Sequence, residues 1–597
     1  MFEVLARHYL ARLGRLTLGE TYYTPMIIER GSALEHRILE TKSAWAPSVP
    51  QREGGEHVLV LPHKCPPASL REEATSFYRS LKALKGDFLY AELCESPGPK
   101  GEVVCPATPE LVPERELYVL GAAQSMRREP RLFVECMLAL RERQPYNVPV
   151  YAPALAEPAN LAVLVLCGVD LVDDVACLDA AMKGEAFTRE GRLQREELVC
   201  HCPECHERKE DEQSFEERLE SVYRHNLWML REEMESVRHH LAMGRLREYA
   251  EAKRGFSNWA CVAMSILDSM YGRVEPFVHV YSATPLRANT ELSLRRVEVL
   301  RFASRVMERF TPRTCDTLVL LPCSARKPYS TSPSHRAFMR ITGRFDVQEV
   351  VITSPLGVVP RELELVYPCA HYDIPVSGIW SEDEIAWGTR CLTRFLERTH
   401  YENIVVHAEG GFLEVCRRAT REMGYEPIYT CEGAPTSPES LRALKEALER
   451  MAQPAPRRGM GDAVRAMCDY QFGAGLSEHL IQGNMRLEGR YPRLRVYEQG
   501  RHLFSTVPEH GKLSLSVLAG ERLLQCDAYK VSIGEFVPHG SITVRGITSV
   551  SPEVRAGDEV VFYGERCMGV GTALMGATEM QSSTYGAAIS VRGYREL

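Results

Sequence analysis

The stretch Leu318–Arg336, LVLLPCSARKPYSTSPSHR, contains a continuous apolar run that ends abruptly in a polar loop. The run Thr317–Leu321 is too short and too uniformly apolar for an amphipathic helix, and Pro322 ends it. This pattern predicts a buried parallel strand. Ligands of open α/β sheets bind at the carboxyl ends of such strands, because loops and helix N-termini converge there. We therefore expect the loop after Pro322 to form part of a functional site.

Two further apolar runs, Val347–Thr353 and Asn403–His407, also end in polar or glycine-rich loops. Three such strand ends bring Cys323, Ser354 and His407–Gly411 to one edge of a predicted sheet. The fold class expected for this region is therefore α/β, of the Rossmann-like kind.

Composition limits the class of protein. The chain has 597 residues, of which 45% are hydrophobic and 25% charged, as is usual for soluble globular proteins, and it is too long for one core. It contains no apolar run of membrane-spanning length and its start does not resemble a signal peptide, so we expect a cytoplasmic protein without a membrane partner. The 19 cysteines are scattered except for one cluster, which favours reduced thiols.

The net charge of −8 is weak evidence against nucleic acid as a partner, but the charge is unevenly distributed. Residues 301–344 contain nine basic side chains and two acidic ones, Glu308 and Asp316. This local excess is compatible with a phosphate backbone, and equally with a solvated helix face.

Shifts in composition along the chain indicate several domains, and the predicted fold class of the whole protein is α/β multidomain. Short apolar runs alternate with helical stretches in the first part, which predicts β/α units of a barrel. The run Leu161–Leu166 is interpreted as one of its strands, so the carboxylates of Gly168–Asp174 lie near a strand end or cap the next helix. The predicted domains are a barrel over residues 1–275, a second α/β domain over 290–451, a small α+β domain over 462–524 and a β-barrel over 525–597.

A cluster of cysteines with a downstream histidine is the most specific local signal. Three thiolates and an imidazole supply the donors that tetrahedral zinc prefers, and four protein ligands indicate a structural site rather than a catalytic one. His201 and His206 compete for the fourth position. The predicted zinc ligands are Cys200, Cys202, Cys205 and His225.

Several motifs resemble known families. Residues 534–591, with Gly557-Asp558-Glu559-Val560 and Gly569-Val570-Gly571, resemble a PUA domain, a small barrel that binds structured RNA. Asp462–Leu524, with Gly489-Arg490-Tyr491-Pro492, is similar to the domain that precedes PUA in archaeal tRNA-guanine transglycosylases.

The N-terminal region resembles the barrel of the same transglycosylases, through Gly168–Asp174, the cysteine cluster and His225-Asn226. The resemblance implies that Asp173 occupies the position of that family's nucleophilic aspartate. The chain has no counterpart of the Ser/Asp-Gly-Gly-Phe-Gln segment that supplies the family's second aspartate. We therefore expect a degenerate barrel in which Asp173 is a relic or a structural cap.

A degenerate barrel combined with Pro322-Cys323-Ser324-x-x-Lys327-Pro328-Tyr329 resembles the archaeosine synthase family. That resemblance implies a transferase that adds an amine donor to the nitrile of 7-cyano-7-deazaguanine at position 15 of archaeal tRNA, forming an amidine. Lysine is the expected donor, with glutamine or another amine as alternatives, and a radical-SAM partner subunit would complete archaeosine. A homodimer remains open.

Within this interpretation Cys323 is the candidate nucleophile, attacking the nitrile to form a thioimidate, while direct attack by the amine is the alternative. Lys327 could lower the thiol pKa, and His371 and Asp373 are candidates for proton transfer, with His335 a lesser one. The predicted substrate-binding residues are Ser324, Tyr329, Ser334, His335, Glu409 and Gly410. A base-exchanging transglycosylase and a non-catalytic tRNA-binding subunit are the alternative functions.

Overall fold

The computed structural model describes residues 2–18, 20–29, 38–41, 59–62, 101–104, 117–121, 123–206, 214–374, 379–455 and 459–597. The chain forms two compact units, Met1–Val278 with Thr578–Gly586, and His279–Ala577 with Ala587–Leu597. Of the helices that the structure describes, none combines the length and hydropathy that a membrane crossing requires.

A parallel sheet is the main β element of the first unit. Its described strands lie in the order β4 (Met26–Ile28), β10 (Leu171–Asp173), β9 (Val150–Tyr151), β8 (Leu117–Leu120), β7 (Gly101–Val104), and each neighbouring pair is parallel. A separate antiparallel sheet has the order β1, β2, β3. The strands of this unit are β1 (Phe2–His8), β2 (Ala11–Leu18), β3 (Glu20–Thr24), β4 (Met26–Ile28), β5 (Ile38–Thr41), β6 (Leu59–Pro62), β7 (Gly101–Val104), β8 (Leu117–Leu120), β9 (Val150–Tyr151), β10 (Leu171–Asp173), β11 (Glu185–Thr188) and β12 (Gly191–Gln194).

The longest described helix of the first unit, α5, starts with a capping box in which Ser214 and Glu217 satisfy each other's backbone amides. The helices are α1 (Pro130–Arg143), α2 (Leu161–Leu166), α3 (Val175–Met182), α4 (Pro203–His206), α5 (Phe215–Ala242), α6 (Leu246–Lys253), α7 (Asn258–Ser269) and α8 (Tyr271–Val274).

The prediction of a strand at Leu161–Leu166 is wrong, because this run forms helix α2. Every one of its residues is buried, so the run carries no amphipathic periodicity that could distinguish a helix from a strand. The strand comes later, at Leu171–Asp173. Asp173 is therefore the last residue of a strand rather than part of a loop after one.

The second unit contains the α/β sheet that was predicted around the strand at Thr317–Leu321. Its strands are β13 (Leu286–Arg287), β14 (Thr317–Pro322), β15 (Val347–Thr353), β16 (Gly357–Pro360), β17 (Tyr372–Asp373), β18 (Asn403–Val406), β19 (Ile428–Tyr429), β20 (Met485–Arg490), β21 (Arg493–Glu498), β22 (Arg501–Val507), β23 (Lys512–Leu515), β24 (Lys530–Ile533), β25 (Ile542–Thr543), β26 (Ile547–Val550), β27 (Glu559–Tyr563), β28 (Cys567–Ala573) and β29 (Ala587–Glu596). Its helices are α9 (Val297–Arg309), α10 (Pro333–Thr342), α11 (Glu382–Glu397), α12 (Gly410–Glu422), α13 (Pro438–Met451), α14 (Met460–Phe472), α15 (Leu476–Leu480) and α16 (Val517–Leu524). A further helix, α17 (Ala577–Ser582), belongs to the first unit except for its first residue.

The α/β sheet has the strand order β16, β15, β14, β18, β19. β14 is parallel to both β15 and β18, whereas β16 forms an antiparallel edge. All residues of β14 and β15 are buried, as the apolar runs predicted. Helices α10 and α13 contribute Phe338, Leu444 and Leu448 to the cluster that contains Val319 and Leu321.

Three further sheets lie in the described part of the unit, and one of them is the parallel pair of β13 and β17. β20 to β23 form an antiparallel sheet in chain order, and the C-terminal strands form a barrel-like sheet in the order β25, β29, β28, β27, β24, β26.

Gly357, at the start of β16, offers a test of this packing. Its φ is +78°, and an added Cβ would lie 2.5 Å from Cys391 Sγ. Gly424, after α12, has a similar φ of +73° but open space around it. We expect Gly424→Ala to cost about 1–2 kcal/mol from left-handed strain alone, and Gly357→Ala to cost about 1–3 kcal/mol more from overpacking. Chemical denaturation measures both losses, and equal losses would contradict the packing described at β16.

Candidate active site and candidate metal centre

Cys323 directly follows β14 and is the first residue of the polar loop. Its thiol lies beside the hydroxyl of Thr353, the last residue of the neighbouring strand β15, and that hydroxyl acts to lower the thiol pKa. The Thr353 Oγ1 atom lies 2.6 Å from the hydroxyl of Tyr372, which in turn lies 2.7 Å from the hydroxyl of Tyr329. A chain of hydroxyl groups therefore leads from the thiol into the buried interior.

Lys327 lies over the ring of Tyr372, with its Nζ atom 3.8 Å from the ring centroid. Burial lowers the pKa of Lys327, and the charges of Cys323 and Asp373 partly oppose that shift. Burial raises the pKa of the Cys323 thiol, although the Lys327 cation acts in the opposite direction. At neutral pH Cys323 is thus a protonated thiol beside an amine that loses its proton more easily than usual.

Asp373 is exposed and lies on β17 beside Tyr372. Short strand β17 is held in place by its parallel pairing with β13, in which Arg287 is the partner of Asp373. The carboxylate acts on the pKa of Lys327, so the structure brings Asp373 and Lys327 together.

His371 has a different environment. Its Nε2 atom donates a hydrogen bond to the Pro508 carbonyl, 2.6 Å away, and its ring packs against Tyr367. Burial lowers the pKa of His371, and its Nδ1 atom is buried without a hydrogen-bond partner. Among the described residues, no hydrogen bond joins the imidazole to Cys323.

Tyr329 and His335 have no exposed surface. The Nδ1 atom of His335 accepts a hydrogen bond of 2.8 Å from Arg361. Burial and the charge of Arg361 lower the pKa of His335 to about 3. The two side chains therefore help to hold the loop in position, and their predicted contact with substrate stays a prediction.

Arg361 connects this loop to a buried charge network. Its guanidinium donates to Glu349 at 2.8 Å and to Glu364 at 3.2 Å. Glu364 also accepts from the backbone amide of Ser330 at 2.8 Å and from the hydroxyl of Tyr491 at 2.9 Å. Tyr491, from the β20–β21 connection, thus contacts the same loop that carries Cys323.

The other predicted substrate-binding residues lie at loop and helix starts. Ser324 is partly exposed and donates to the Arg326 carbonyl at 2.9 Å. Ser334 lies in the first turn of α10, with its hydroxyl 3.2 Å from that of Ser332. Glu409 precedes α12, is exposed, and forms no capping bond with its side chain. Gly410 opens that helix with a φ of +55°, a left-handed conformation that favours glycine.

Sequence reasoning missed Thr353, Tyr372, Arg361, Glu364 and Tyr491. Thr353 could have been found, since it ends a predicted strand beside Cys323. Tyr491 could not, because only tertiary structure brings it to the loop.

In the first unit, Asp173 is buried and its carboxylate is fully engaged. It accepts hydrogen bonds from the Tyr151 hydroxyl at 2.7 Å, from the Ala154 amide at 2.9 Å and from the Val175 amide at 3.2 Å. Burial raises its pKa to about 6. These contacts are those of a structural residue that closes the end of β10.

The cysteine cluster forms a compact group. The ligand atoms of Cys200, Cys202, Cys205 and His225 all lie within 4.8 Å of one another. The His225 Nδ1 atom is 3.4 Å from the Sγ atoms of both Cys202 and Cys205. Its Nε2 atom lies 2.8 Å from the Phe187 carbonyl, which leaves Nδ1 unprotonated and directed at the sulfurs. The donor set therefore fits a metal ion.

Four family models match the chain. They are a domain of unknown function (DUF5591) at residues 299–448, queuine tRNA-ribosyltransferase at 108–256, the patch-forming domain C2 of tRNA-guanine transglycosylase at 462–530, and the PUA domain at 529–595.

The chain is also similar to full-length relatives. It is 35% identical to the archaeosine synthase subunit alpha of Methanosarcina acetivorans, over 100% of this chain and 99% of that protein. It is 33% identical to the archaeosine synthase of Haloferax volcanii over the same shares of the two chains. A solved structure of AF0587, a protein of unknown function, is 34% identical over 49% of this chain and 99% of that chain, with a TM-score of 0.43. The full-length identities show that this chain belongs to the archaeosine synthase family.

Proposed function

We propose that this protein is an archaeosine synthase-type transferase that modifies tRNA in archaeosine biosynthesis. It adds an amine donor, expected to be lysine, to the nitrile of 7-cyano-7-deazaguanine at position 15, and the product is an amidine. The observation that carries the proposal is the pairing of a partly buried thiol, Cys323, with a partly buried amine, Lys327, at the carboxyl end of β14.

The chemistry requires a nucleophile at the nitrile carbon and a proton at the nitrile nitrogen. The Cys323 sulfur attacks the carbon, a C–S bond forms, one C–N π bond breaks, and the thiol proton passes to the nitrogen. The donor amine then attacks the same carbon, a C–N bond forms and the C–S bond breaks. The sulfur leaves with the proton that the amine gives up, so the sum is nitrile plus amine giving amidine.

The protonation states of this pair suit the first step. A thiol with a raised pKa still carries the proton that the nitrogen needs, and a lysine with a lowered pKa can accept that proton and pass it on. The hydroxyl of Thr353 offers a second path for the same proton. Tyr372 supports both groups, since its ring contacts Lys327 and its hydroxyl contacts Thr353.

The remaining predicted residues take roles that follow from their surroundings. Asp373 orients Lys327, and His371, with its unpartnered Nδ1, remains a candidate for proton transfer. Glu409 is exposed and suited to the amine donor's own ammonium group. Ser324 and Ser334 are candidates for binding phosphate or carboxylate oxygens, with Gly410 allowing close backbone approach. Tyr329 and His335 position the loop.

We also propose that the cysteine cluster holds Zn²⁺ in a structural site, because three sulfurs and one nitrogen at these distances leave no ligand position for water. The parallel sheet of the first unit would belong to a degenerate TIM-like barrel, and the α/β sheet would be Rossmann-like. We propose that the chain contains four domains, at residues 1–275, 290–451, 462–524 and 525–597. A cytoplasmic location, a radical-SAM partner subunit and a homodimeric assembly are part of the same proposal.

Replacement of the nucleophile separates the chemical routes. We expect Cys323→Ala to reduce amidine formation on cyano-deazaguanine tRNA by a factor on the order of 1000 or more, because the covalent route loses its nucleophile. The measurement is the mass gain of the nucleoside after incubation with lysine. Cys526→Ala, which removes a partly exposed cysteine after α16, serves as the control and should stay active. A fully active Cys323→Ala variant would rule out the thioimidate and leave direct amine attack.

The charge of Lys327 should be visible in the reactivity of the thiol. The alkylation rate of Cys323, followed by mass spectrometry of its peptide, should rise with a midpoint above the ordinary pKa range of cysteine, because burial raises its pKa. Lys327→Met should move that midpoint to still higher pH, since the lysine cation lowers the thiol pKa. An unchanged or lower midpoint in Lys327→Met would show that the two groups are not electrostatically coupled.

Metal content tests the cluster. The purified protein should contain about one zinc ion per chain, and Cys202→Ser should lose most of it, because a structural site needs all four of its ligands. Cys261→Ser, in the same unit but outside the cluster, should retain the metal. Atomic emission spectrometry gives the content. Equal zinc in both variants would place the metal elsewhere.

A further inference from the structure

Four arginines lie exposed on the loop and helix that follow Cys323. Within the described part of the chain, their guanidinium groups form no hydrogen bond and no ion pair. These residues, named the arginine stripe, are Arg326, Arg336, Arg340 and Arg344.

The basic side chains of residues 301–344 fall into two groups. The arginine stripe faces solvent, and the remaining side chains contact partners within the protein. Arg301 donates to the His279 carbonyl, Arg305 lies over the Tyr470 ring, Arg309 donates to the carbonyls of Tyr470 and Gln471, Arg313 pairs with Asp346 and Asp462, and Lys327 lies over Tyr372. Only the arginine stripe is left to face solvent.

The stripe has a regular geometry. Arg336, Arg340 and Arg344 are spaced four residues apart along α10 and the turn after it, so they follow one side of the helix over about 12 Å. The opposite side of α10 is buried through Phe338. The helix contains no acidic residue that could neutralise the line.

The stripe is also directed at the candidate active site. Helix α10 is capped by Ser332, which belongs to the loop that starts at Cys323, and Arg336 lies one turn further along. Arg326 lies within the loop itself, three residues after Cys323. Arg326 and the N-terminal end of the stripe at Arg336 therefore belong to the segment that directly follows Cys323.

Helices elsewhere in the α/β region differ in charge. Arg418 on α12 is neutralised by Glu382 and Glu414, and α11 opens with three acidic residues. The whole chain has a net charge of −8. The four unpaired guanidinium groups near the site therefore form a local positive surface on a chain whose net charge is negative. Such a surface is complementary to a polyanion.

We propose that the arginine stripe binds the sugar-phosphate backbone of the tRNA nucleotides that flank the modified base, and so presents that base to Cys323. The proposal rests on the proposed function. Guanidinium groups bind phosphate oxygens through paired hydrogen bonds, and their spacing of about 6 Å along the helix suits successive groups of an extended anionic chain.

The test compares two double variants of the full chain with equal loss of charge. Arg336→Ala/Arg340→Ala removes the centre of the stripe, and Arg394→Ala/Arg421→Ala removes two exposed arginines of α11 and α12. Affinity for cyano-deazaguanine tRNA is measured by fluorescence anisotropy across a salt series, and thermal unfolding confirms that both variants fold.

We expect the stripe variant to bind tRNA about 10-fold more weakly at ~0.1 M salt, with the slope of log affinity against log salt reduced by roughly 1.5, since each lost phosphate contact removes about 0.7–0.9. The KM for tRNA should rise with kcat unchanged at saturating tRNA, because the reacting groups are intact. The α11/α12 variant should match the unmodified protein.

An unchanged affinity and salt slope in the stripe variant would overturn the proposal. Loss of activity at saturating tRNA with unchanged tRNA affinity would do the same, because the stripe would then serve another partner. If the unmodified protein forms no amidine while the stripe variant still loses affinity and slope, the proposed function fails and the stripe stands as an RNA-binding surface.

Discussion

Burial of β14 on both faces is the constraint on which the candidate active site depends. The strand lies between two parallel neighbours, and each of its residues is buried. A shift by one residue would exchange side chains between two closely packed faces and disturb the packing of both, so the end of the strand is fixed in space. Cys323 is held at that end, next to Thr353 at the end of β15. The rigidity of the sheet therefore sets the position of the thiol.

The loop beyond Cys323 is fixed by polar contacts instead of apolar packing. Arg361 joins Glu349, Glu364 and His335, and Tyr491 reaches Glu364 from the small α+β region. Removing one member of such a buried charge network costs on the order of 3–5 kcal/mol, because a charge is left without its partner. The network makes the geometry of the loop sensitive to the region that contributes Tyr491. That region matches the patch-forming domain C2 of tRNA-guanine transglycosylase.

How much the sequence predicted depended on whether the signal was local. The strands at Thr317–Leu321 and Val347–Thr353 are confirmed because buried parallel strands have a local apolar pattern. The cysteine cluster with His225 is confirmed as a group that could hold a metal, because close cysteine spacing is itself diagnostic. The identity of the ion stays a prediction.

Features that depend on tertiary structure could not be predicted from the sequence. The run Leu161–Leu166 is buried on every side, so its helical state left no periodicity to detect. The roles of Tyr372 and Tyr491 required chain segments distant in sequence to meet. The basic stretch at 301–344 could only be divided once the partners of each arginine were known.

The central claim is that Cys323 forms a covalent bond with the nitrile carbon of the modified base. The most direct measurement is mass spectrometry of the protein after incubation with cyano-deazaguanine tRNA in the absence of any amine donor, followed by nuclease and protease digestion. The account predicts a nucleoside-derived adduct on the peptide that contains Cys323, which disappears when lysine is added. Absence of an adduct on that peptide, under conditions in which added lysine gives the amidine, would contradict it.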